Sequence, residues 1–252
     1  VSRDLLRAPL DQAEIQRLIT PYWRVSVVEL TGTTQGDLVR LVREAKAQIG
    51  DVIVTEYQSA GRGRLDRSFE ASKGTALLFS FYIQPHRDRE DWGWIPLIAG
   101  NCVGKALKGF DALVKWPNDI LINNKKVSGL IAEIVDSGVV VGIGVNVGME
   151  RDQLPVDSAT SLLIEGAADV SRNTLLCTIL REFEESFVQW DQGLDEVQAQ
   201  YMQISATIGR QVRVEYPGGA FQQGMAIGIS DTGALILEDG THVQSADVIH
   251  LR

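Results

Sequence analysis

ALVKWPNDILINNKKVSGLIAEIVDSGVVVGIGVNV, residues 112–147, is a β-branched, apolar run broken at Pro117, at Asn123 and Asn124, and at Ser137 and Gly138. Short apolar runs with breaks of this kind read as strands joined by tight turns. Upstream, VIVTEY (52–57) and TALLFSFYI (75–83) read as further strands, and IPLIAGNCVGKALKGF (95–110) as a buried helix. Thr34 and Asp37 suggest a capping-box-like start for a helix reaching about Ile49, with Leu38, Val42, Ala45 and Ile49 on one face. Ser171 is a candidate N-cap for a long helix in which Leu175, Leu176, Ile179, Leu180, Phe183, Phe187 and Trp190 recur at helical spacing. That stripe reads as core.

The ends of the sequence differ from its middle. Residues 1–24 read as a polar, partly helical lead-in, too short for an independent DNA-binding domain. From Thr207 the helical period is lost, and short alternating strands are separated by PGG, SDTG and EDG turns. Residues 207–252 are therefore expected to form a small β-barrel domain, near the lower size limit for independent folding and leaning on residues 25–206.

Composition bounds the function. The 252 residues, 44 % of them hydrophobic, suffice for one large domain or one plus a small one. A formal charge of -9 argues against broad nucleic-acid or anionic-membrane binding, which recruits clustered positive charge. Two stretches run against that balance. Residues 58–73 hold Arg62, Arg64, Arg67 and Lys73 against Asp66 and Glu70, and residues 105–126 hold five lysines against Asp111 and Asp119. Local positive charge in an acidic chain fits a small anionic ligand better than a long polyanion. No apolar run approaches the roughly 18 residues of a membrane span, and the first residues lack a signal-peptide layout, so a cytoplasmic protein is expected. Cys102 and Cys177 lie far apart in apolar stretches and read as buried free thiols. The three histidines are scattered, with no serine or cysteine arrangement of a hydrolytic triad.

Several motifs are suited to chemistry. In QSAGRGRLDRSF (58–69), Gly61 and Gly63 allow close backbone approach to a ligand, while Arg62, Arg64 and Arg67 offer planar forks for phosphate or carboxylate. Neither a P-loop nor a GxGxxG spacing is present. In KWPNDI (115–120), Asn118 is placed to read a base edge or tie a loop, and Asp119 to hold a divalent cation. Lys126 opens the strand of KKVSGLIAE (125–133), where its ammonium can share a cleft with Asp119. In GIGVNV (142–147), Gly142 and Gly144 would let a flat ligand lie against a strand, with Asn146 as a polar handle.

Taken in order, TGTTQ (31–35), EYQSAGRGR, KWPNDI, KVSGLIAE and GIGVNV resemble the signature series of biotin protein ligases, over about Val25 to Arg252. The resemblance implies an α+β fold, a mixed β-sheet flanked by helices and followed by a small C-terminal β-barrel. It is to the shorter group without an N-terminal DNA-binding domain. It also implies two half-reactions: biotin and MgATP give biotinyl-5'-AMP, and a lysine of a biotin carboxyl carrier domain then takes the biotin. By resemblance, Lys126 and Arg64 stabilise transition-state charge. Thr33, Thr34, Gln35, Gln58, Gly61, Arg62, Gly63, Arg64, Lys126 and Gly129 surround biotin. Arg62, Arg64, Arg67, Phe69, Asn118, Gly142, Gly144 and Asn146 face the nucleotide, and Asp119 contacts Mg²⁺. A monomer or weak sheet-edge dimer is implied, with no DNA and no membrane partner.

The chain departs from the family pattern at Leu65 and Asp66, at Phe69 in place of a tryptophan, and at Gln35 in place of an asparagine. Asp66 would weaken retention of the adenylate, and Phe69 offers a smaller face for adenine. The rival readings are a lipoate or octanoyl ligase-type enzyme and a non-catalytic biotinyl-AMP-binding module.

Overall fold

A computed structural model describes residues 3–64, 67–193 and 196–251. The lead-in carries two short helices, α1 (Arg3–Leu6) and α2 (Gln12–Leu18), the second capped by the Asp11 carboxylate, which accepts from Glu14 N–H. There follow β1 (Arg24–Val28), α3 (Thr34–Arg43), β2 (Asp51–Thr55), β3 (Ala76–Ile83), α4 (Trp94–Ala106), β4 (Leu113–Lys115), β5 (Asp119–Ile122), β6 (Lys125–Val135) and β7 (Gly138–Asn146). These seven strands form one sheet in the order β1-β2-β3-β7-β6-β5-β4. The β1–β2 pair is parallel and the others antiparallel, so the sheet is mixed, as the resemblance implies.

Helices cover both faces. Leu77, Phe79, Phe81 and Ile83 of β3 and Val139, Val141, Ile143 and Val145 of β7 point into the main core, with α4 and α5 (Arg172–Asp191). The Ser171 hydroxyl accepts from Asn173 N–H at the start of α5, and the stripe from Leu175 to Trp190 is buried, as its spacing predicts. On the opposite face, Leu38, Val39 and Val42 of α3 pack on Ile53, Tyr82 and Val140. Because alternate strand residues face opposite ways, Leu78, Ser80 and Tyr82 of β3 share the α3 face with Val140, Gly142 and Gly144 of β7. Registered pairs on that face are Ser80 with Gly142 and Leu78 with Gly144. Small residues there leave the sheet bare where α3 ends its coverage.

The helix at Thr34 departs from expectation at both ends. Its N-cap is Thr33, without a side-chain cap bond, while the Thr34 hydroxyl turns to Gln58 and Ser80. Asp37 accepts instead from the Thr31 hydroxyl. The helix stops at Arg43 because Ala45 adopts φ 53°, and Lys46 N–H and Ala47 N–H close back on Leu41 O. Ile49 lies beyond this turn and is exposed.

After α6 (Glu196–Gln203), β8 (Gln211–Glu215), β9 (Phe221–Ile229), β10 (Leu235–Leu237), β11 (His242–Val243) and β12 (Asp247–His250) make a second sheet, antiparallel, in the order β11-β10-β9-β8-β12. Its edge strands are neighbours in sequence, joined by residues 244–246. Five flat strands would hold those edges about 19 Å apart, whereas four residue steps reach about 14 Å. The sheet is therefore curled, as a small barrel requires. Trp94 Nε1, at the start of α4, donates to Ser230 O at 3.1 Å and Trp116 Nε1, in the turn after β4, to Gly233 O at 3.2 Å, fastening the second sheet to the larger unit. Cys102 and Cys177 are buried and unpaired, and burial raises their thiol pKa values to about 12 and about 11.

Candidate active site

The bare patch of the large sheet is the floor of a cavity of about 270 Å³. Leu78, Ser80, Gly129, Ile131, Gly142 and Gly144 line it from below. One wall is the loop 61–69, which folds back on itself: Gly63 N–H donates to Arg67 O at 2.7 Å and Phe69 N–H to Gly61 O at 3.0 Å. Leu65 and Asp66 lie outside the described residues, so their departure from the family pattern has no structural counterpart here. The far wall comes from the second sheet, through Glu215, Asp247 and Ile249.

Five cationic side chains meet in this cavity, Arg62, Arg64 and Arg67 from the loop, Lys115 from the end of β4 and Lys126 from β6. Lys126 Nζ lies 2.6 Å from Asp119 Oδ1, and Arg67 is paired with Asp247. Arg64 is half-buried, reaching Asn118 Oδ1 at 3.4 Å, Ser245 Oγ at 3.3 Å and Ala246 O at 3.4 Å. Burial lowers its pKa, opposed by the charges of Asp247 and Asp119. Burial likewise lowers the pKa of Lys115, opposed by Asp119. Desolvated cations of this kind interact strongly with an anion that enters the cavity.

At the opposite end the cavity is neutral and polar. The Gln58 Oε1 accepts from Thr34 N–H at 2.8 Å and from the Thr34 hydroxyl at 3.2 Å. Thr33 and Gln35 line the same end. Gln35 Nε2 donates to Val140 O at 3.0 Å, and its Oε1, buried without a hydrogen-bond partner, faces Gly142. The cavity thus joins a neutral polar region around Thr34 and Gln58 to a cluster of Arg64, Arg67, Lys115 and Lys126 with the carboxylates Asp119 and Asp247.

Most residues singled out from the sequence line this cavity: Thr33, Thr34, Gln35, Gln58, Arg62, Gly63, Arg64, Arg67, Phe69, Asn118, Asp119, Lys126, Gly129, Gly142 and Gly144. Two do not. Asn146 is buried outside it, its Nδ2 donating to Thr160 O at 2.9 Å, so this amide holds a loop where the sequence suggests a nucleotide contact. Gly61 opens the loop on its side away from the cavity, where an added Cβ would sit 2.3 Å from Phe69 O. Gly142 and Gly144 line the cavity floor, as the sequence suggests, but side chains of the chain itself lie over them. A Cβ on Gly144 would meet the Phe69 ring at 2.7 Å, and one on Gly142 would meet Gln35 Oε1 at 2.6 Å. The chain's own side chains rest on these glycines.

Sequence reasoning missed Lys115, Ser80 and Asp247. Lys115 heads KWPNDI and a charged strand residue before a turn was a usable signal. Ser80 is the lone polar residue of ALLFSFYI, which marks it in retrospect. Asp247 carries no local signal.

Comparison with known proteins agrees with the geometry. The Biotin/lipoate A/B protein ligase family matches residues 27–150, and the Biotin protein ligase C terminal domain matches residues 207–251. The chain is 36 % identical to a biotin--[acetyl-CoA-carboxylase] ligase of Mycobacterium tuberculosis, over 99 % of both chains. It is 30 % identical to the bifunctional ligase/repressor BirA of Bacillus spizizenii, over 79 % of this chain and 66 % of that one. Among solved structures, the biotin protein ligase of Aquifex aeolicus in complex with biotin and ATP superposes with a TM-score of 0.77 at 26 % identity, covering 91 % of this chain and 99 % of that one. A near full-length relative, two matching domains and a shared fold around one cationic cavity establish that this chain belongs to the biotin protein ligase family.

Proposed function

We infer that this chain is an ATP-dependent biotin protein ligase, which activates biotin as biotinyl-5'-AMP and transfers it to a lysine of a biotin carboxyl carrier domain. The observation that carries the reading is that one cavity joins the neutral Thr34–Gln58 pair to a cluster of Arg64, Arg67, Lys115 and Lys126 in which cations outnumber the carboxylates Asp119 and Asp247. A cyclic urea joined to a carboxylate by an apolar chain has the same two-ended character. A lipoyl group has no polar head to satisfy Gln58, so the same end counts against the lipoate alternative.

The chemistry follows from charge. In the first step a biotin carboxylate oxygen bonds to the α-phosphorus of ATP, and the bond to the bridging oxygen breaks as pyrophosphate leaves. Two anions must approach, so cations fixed in advance are the main requirement. We assign that role to Lys126 and Arg64, with Arg62 and Arg67 on the phosphates and Phe69 and Asn118 toward the nucleoside. In the second step the carrier lysine amine attacks the mixed anhydride carbonyl, an amide bond forms, and AMP departs with the bonding electrons.

Asp119 is our assignment for contact with Mg²⁺. Among the described residues no three His, Cys, Asp or Glu side chains gather as a metal cluster. One carboxylate suits an ion that takes most of its remaining ligands from phosphate and water, and bound there it would offset phosphate charge. We also take residues 25–206 as the catalytic unit and 207–252 as a smaller unit. The net charge of -9 supports a role without DNA. Among the described residues no helix is long and apolar enough to cross a membrane; a cytoplasmic monomer or weak dimer is the simplest setting for a carrier-modifying enzyme.

The test is incubation with ATP, Mg²⁺, labelled biotin and a biotin carboxyl carrier domain. Label on the carrier lysine is expected. Label that stays off the carrier, or lipoate that serves better than biotin, rejects the reading.

A further inference from the structure

The ligase reading gives the lead-in no task, yet its residues converge on the place where the arginine loop rejoins the large sheet. The two legs of that loop are held differently. The leg leaving β2 is fixed by Ser59 N–H donating to Thr31 O and Ala60 N–H to Gly32 O, both at 2.9 Å. The leg returning to β3 is gripped at its root. Gly74, at φ 72°, donates its N–H to Glu56 O at 3.0 Å, and the Thr75 N–H and hydroxyl both donate to Ser72 O, at 3.1 and 2.7 Å. Residues 57–61, residues 68–72 and Gln153 line a cleft of about 420 Å³, so open space lies against the returning leg. Its position therefore depends on the root.

The lead-in closes on that root. Arg7 Nε and Nη2 donate to Gly148 O at 2.9 and 2.7 Å, and Nη2 also to Gln153 Oε1 at 3.1 Å. The arginine stem lies flat on Gly148, where a Cβ would come within 2.9 Å of Arg7 Cγ. Gly148 N–H and Val147 N–H in turn donate to Thr75 O at 2.7 and 3.1 Å. The nearest neighbours of a Cβ on Gly74 would be Arg172 Nη2, Arg7 O and Glu56 Oε2, at 3.8 to 3.9 Å. Hydrogen bonds thus run from Arg7 through Gly148 and Thr75 to Ser72, a short way along the chain from Phe69, whose ring lies over Gly144 in the cavity floor. We propose that Arg7 is a positioning residue for the acyl-adenylate: by fixing Gly148 and Thr75 it sets the returning leg, and with it the place of Phe69 at the nucleotide end of the cavity. Thr34 and Gln58 are held from the other leg and from α3, so biotin alone does not feel Arg7.

The proposal rests on the biotin-ligase reading, and the experiment separates the two. Three measurements compare the wild-type chain with Arg7→Ala and Arg7→Lys: release of labelled biotinyl-5'-AMP into an excess of unlabelled compound, biotin affinity by isothermal titration, and the rate of tryptic cleavage after Lys73 in the ligand-free chain. The Arg7 side chain is 38 % exposed, so its loss opens no buried hole. Lysine keeps the charge without the two-pronged grip on Gly148 O, and it decides the matter if the alanine variant does not fold. In Arg7→Ala, release and cleavage should both quicken about 3- to 10-fold, as for lost hydrogen bonds from a charged group. Biotin affinity should move less than about twofold, and Arg7→Lys should fall between. Unchanged release, or release and biotin affinity weakened alike, overturns the role of Arg7. A wild-type chain that binds neither biotin nor the adenylate overturns the ligase reading, and the cleavage rate then still judges the hold of Arg7 on the leg: an unchanged rate rejects it.

Discussion

Arg67, on the loop beside the cavity, donates a hydrogen bond to Asp247, 180 residues away on the first position of β12. The pair joins the 61–69 loop to the second sheet, and its carboxylate stands in the cavity wall. A triphosphate must compete with that carboxylate for Arg67. Asp247→Asn should lower the KM for ATP about two- to fivefold in pyrophosphate exchange by removing one repulsive charge. Arg67 is 67 % exposed, so unfolding free energy should change by less than about 1 kcal/mol. A raised KM would instead mean that the clasp serves to close the site.

Lys126 and Arg64 approach the cavity from different elements, and their substitution tests the charge argument directly. Lys126→Ala or Arg64→Ala should cut biotin-dependent ATP–pyrophosphate exchange by a factor of about ten or more, with thermal stability nearly unchanged. Unaltered exchange in both variants would reject the assignment.

Gly142 sits in the cavity floor with Gln35 Oε1, Ile131 and Ser80 Oγ all close to where a Cβ would be. These neighbours are buried or held in the sheet, so Gly142→Ala overpacks the floor. A loss of about 1–3 kcal/mol is expected in urea unfolding, together with weaker biotin binding in titration.

Behind the loop, Arg172 Nη2 lies 2.6 Å from Glu56 Oε2, both side chains buried. Glu56 Oε1 also accepts from Leu10 N–H at 2.6 Å, and Arg172 donates to Ala8 O at 2.7 Å, so this pair anchors the lead-in. Glu56→Ala leaves a buried cation unpaired and should cost about 3–5 kcal/mol in urea unfolding. Adding Arg172→Met should recover part of that loss.

His250 reports on acid. Burial, then the charges of Lys115 and Arg210, lower its pKa to about 4, and Nε2 lies 3.2 Å from the Thr207 hydroxyl. Between about pH 6.5 and about pH 4 the unfolded chain takes up a proton that the folded chain refuses, so stability falls with pH through this window. The imidazole is only partly buried, and solvent screening limits the effect to about 1–2 kcal/mol. His250→Asn should flatten that part of the stability–pH curve, measured as the difference between variant and wild type.

Local physics made much of the fold legible. Ser171 caps its helix because a hydroxyl before an apolar stripe has one evident use, and residues 112–147 form strands with turns where Asn123 and Asn124 adopt positive φ. The end of α3 was illegible because its left-handed residue is Ala45, where glycine would be the usual sign. Among site residues, those in compact motifs could be read together. Asp247 could not, since its partner lies across the whole chain and no neighbouring residue advertises it. Asn146 shows the reverse failure, a polar residue beside glycines whose amide is consumed by a backbone carbonyl.

The curl of the second sheet brings Asp247 and Ile249 against a cavity whose other end is built by residues 33–35. A chain still being translated therefore has no finished pocket until residue 249 has cleared the exit tunnel, and proteolytic clipping after β11 would discard a wall of it.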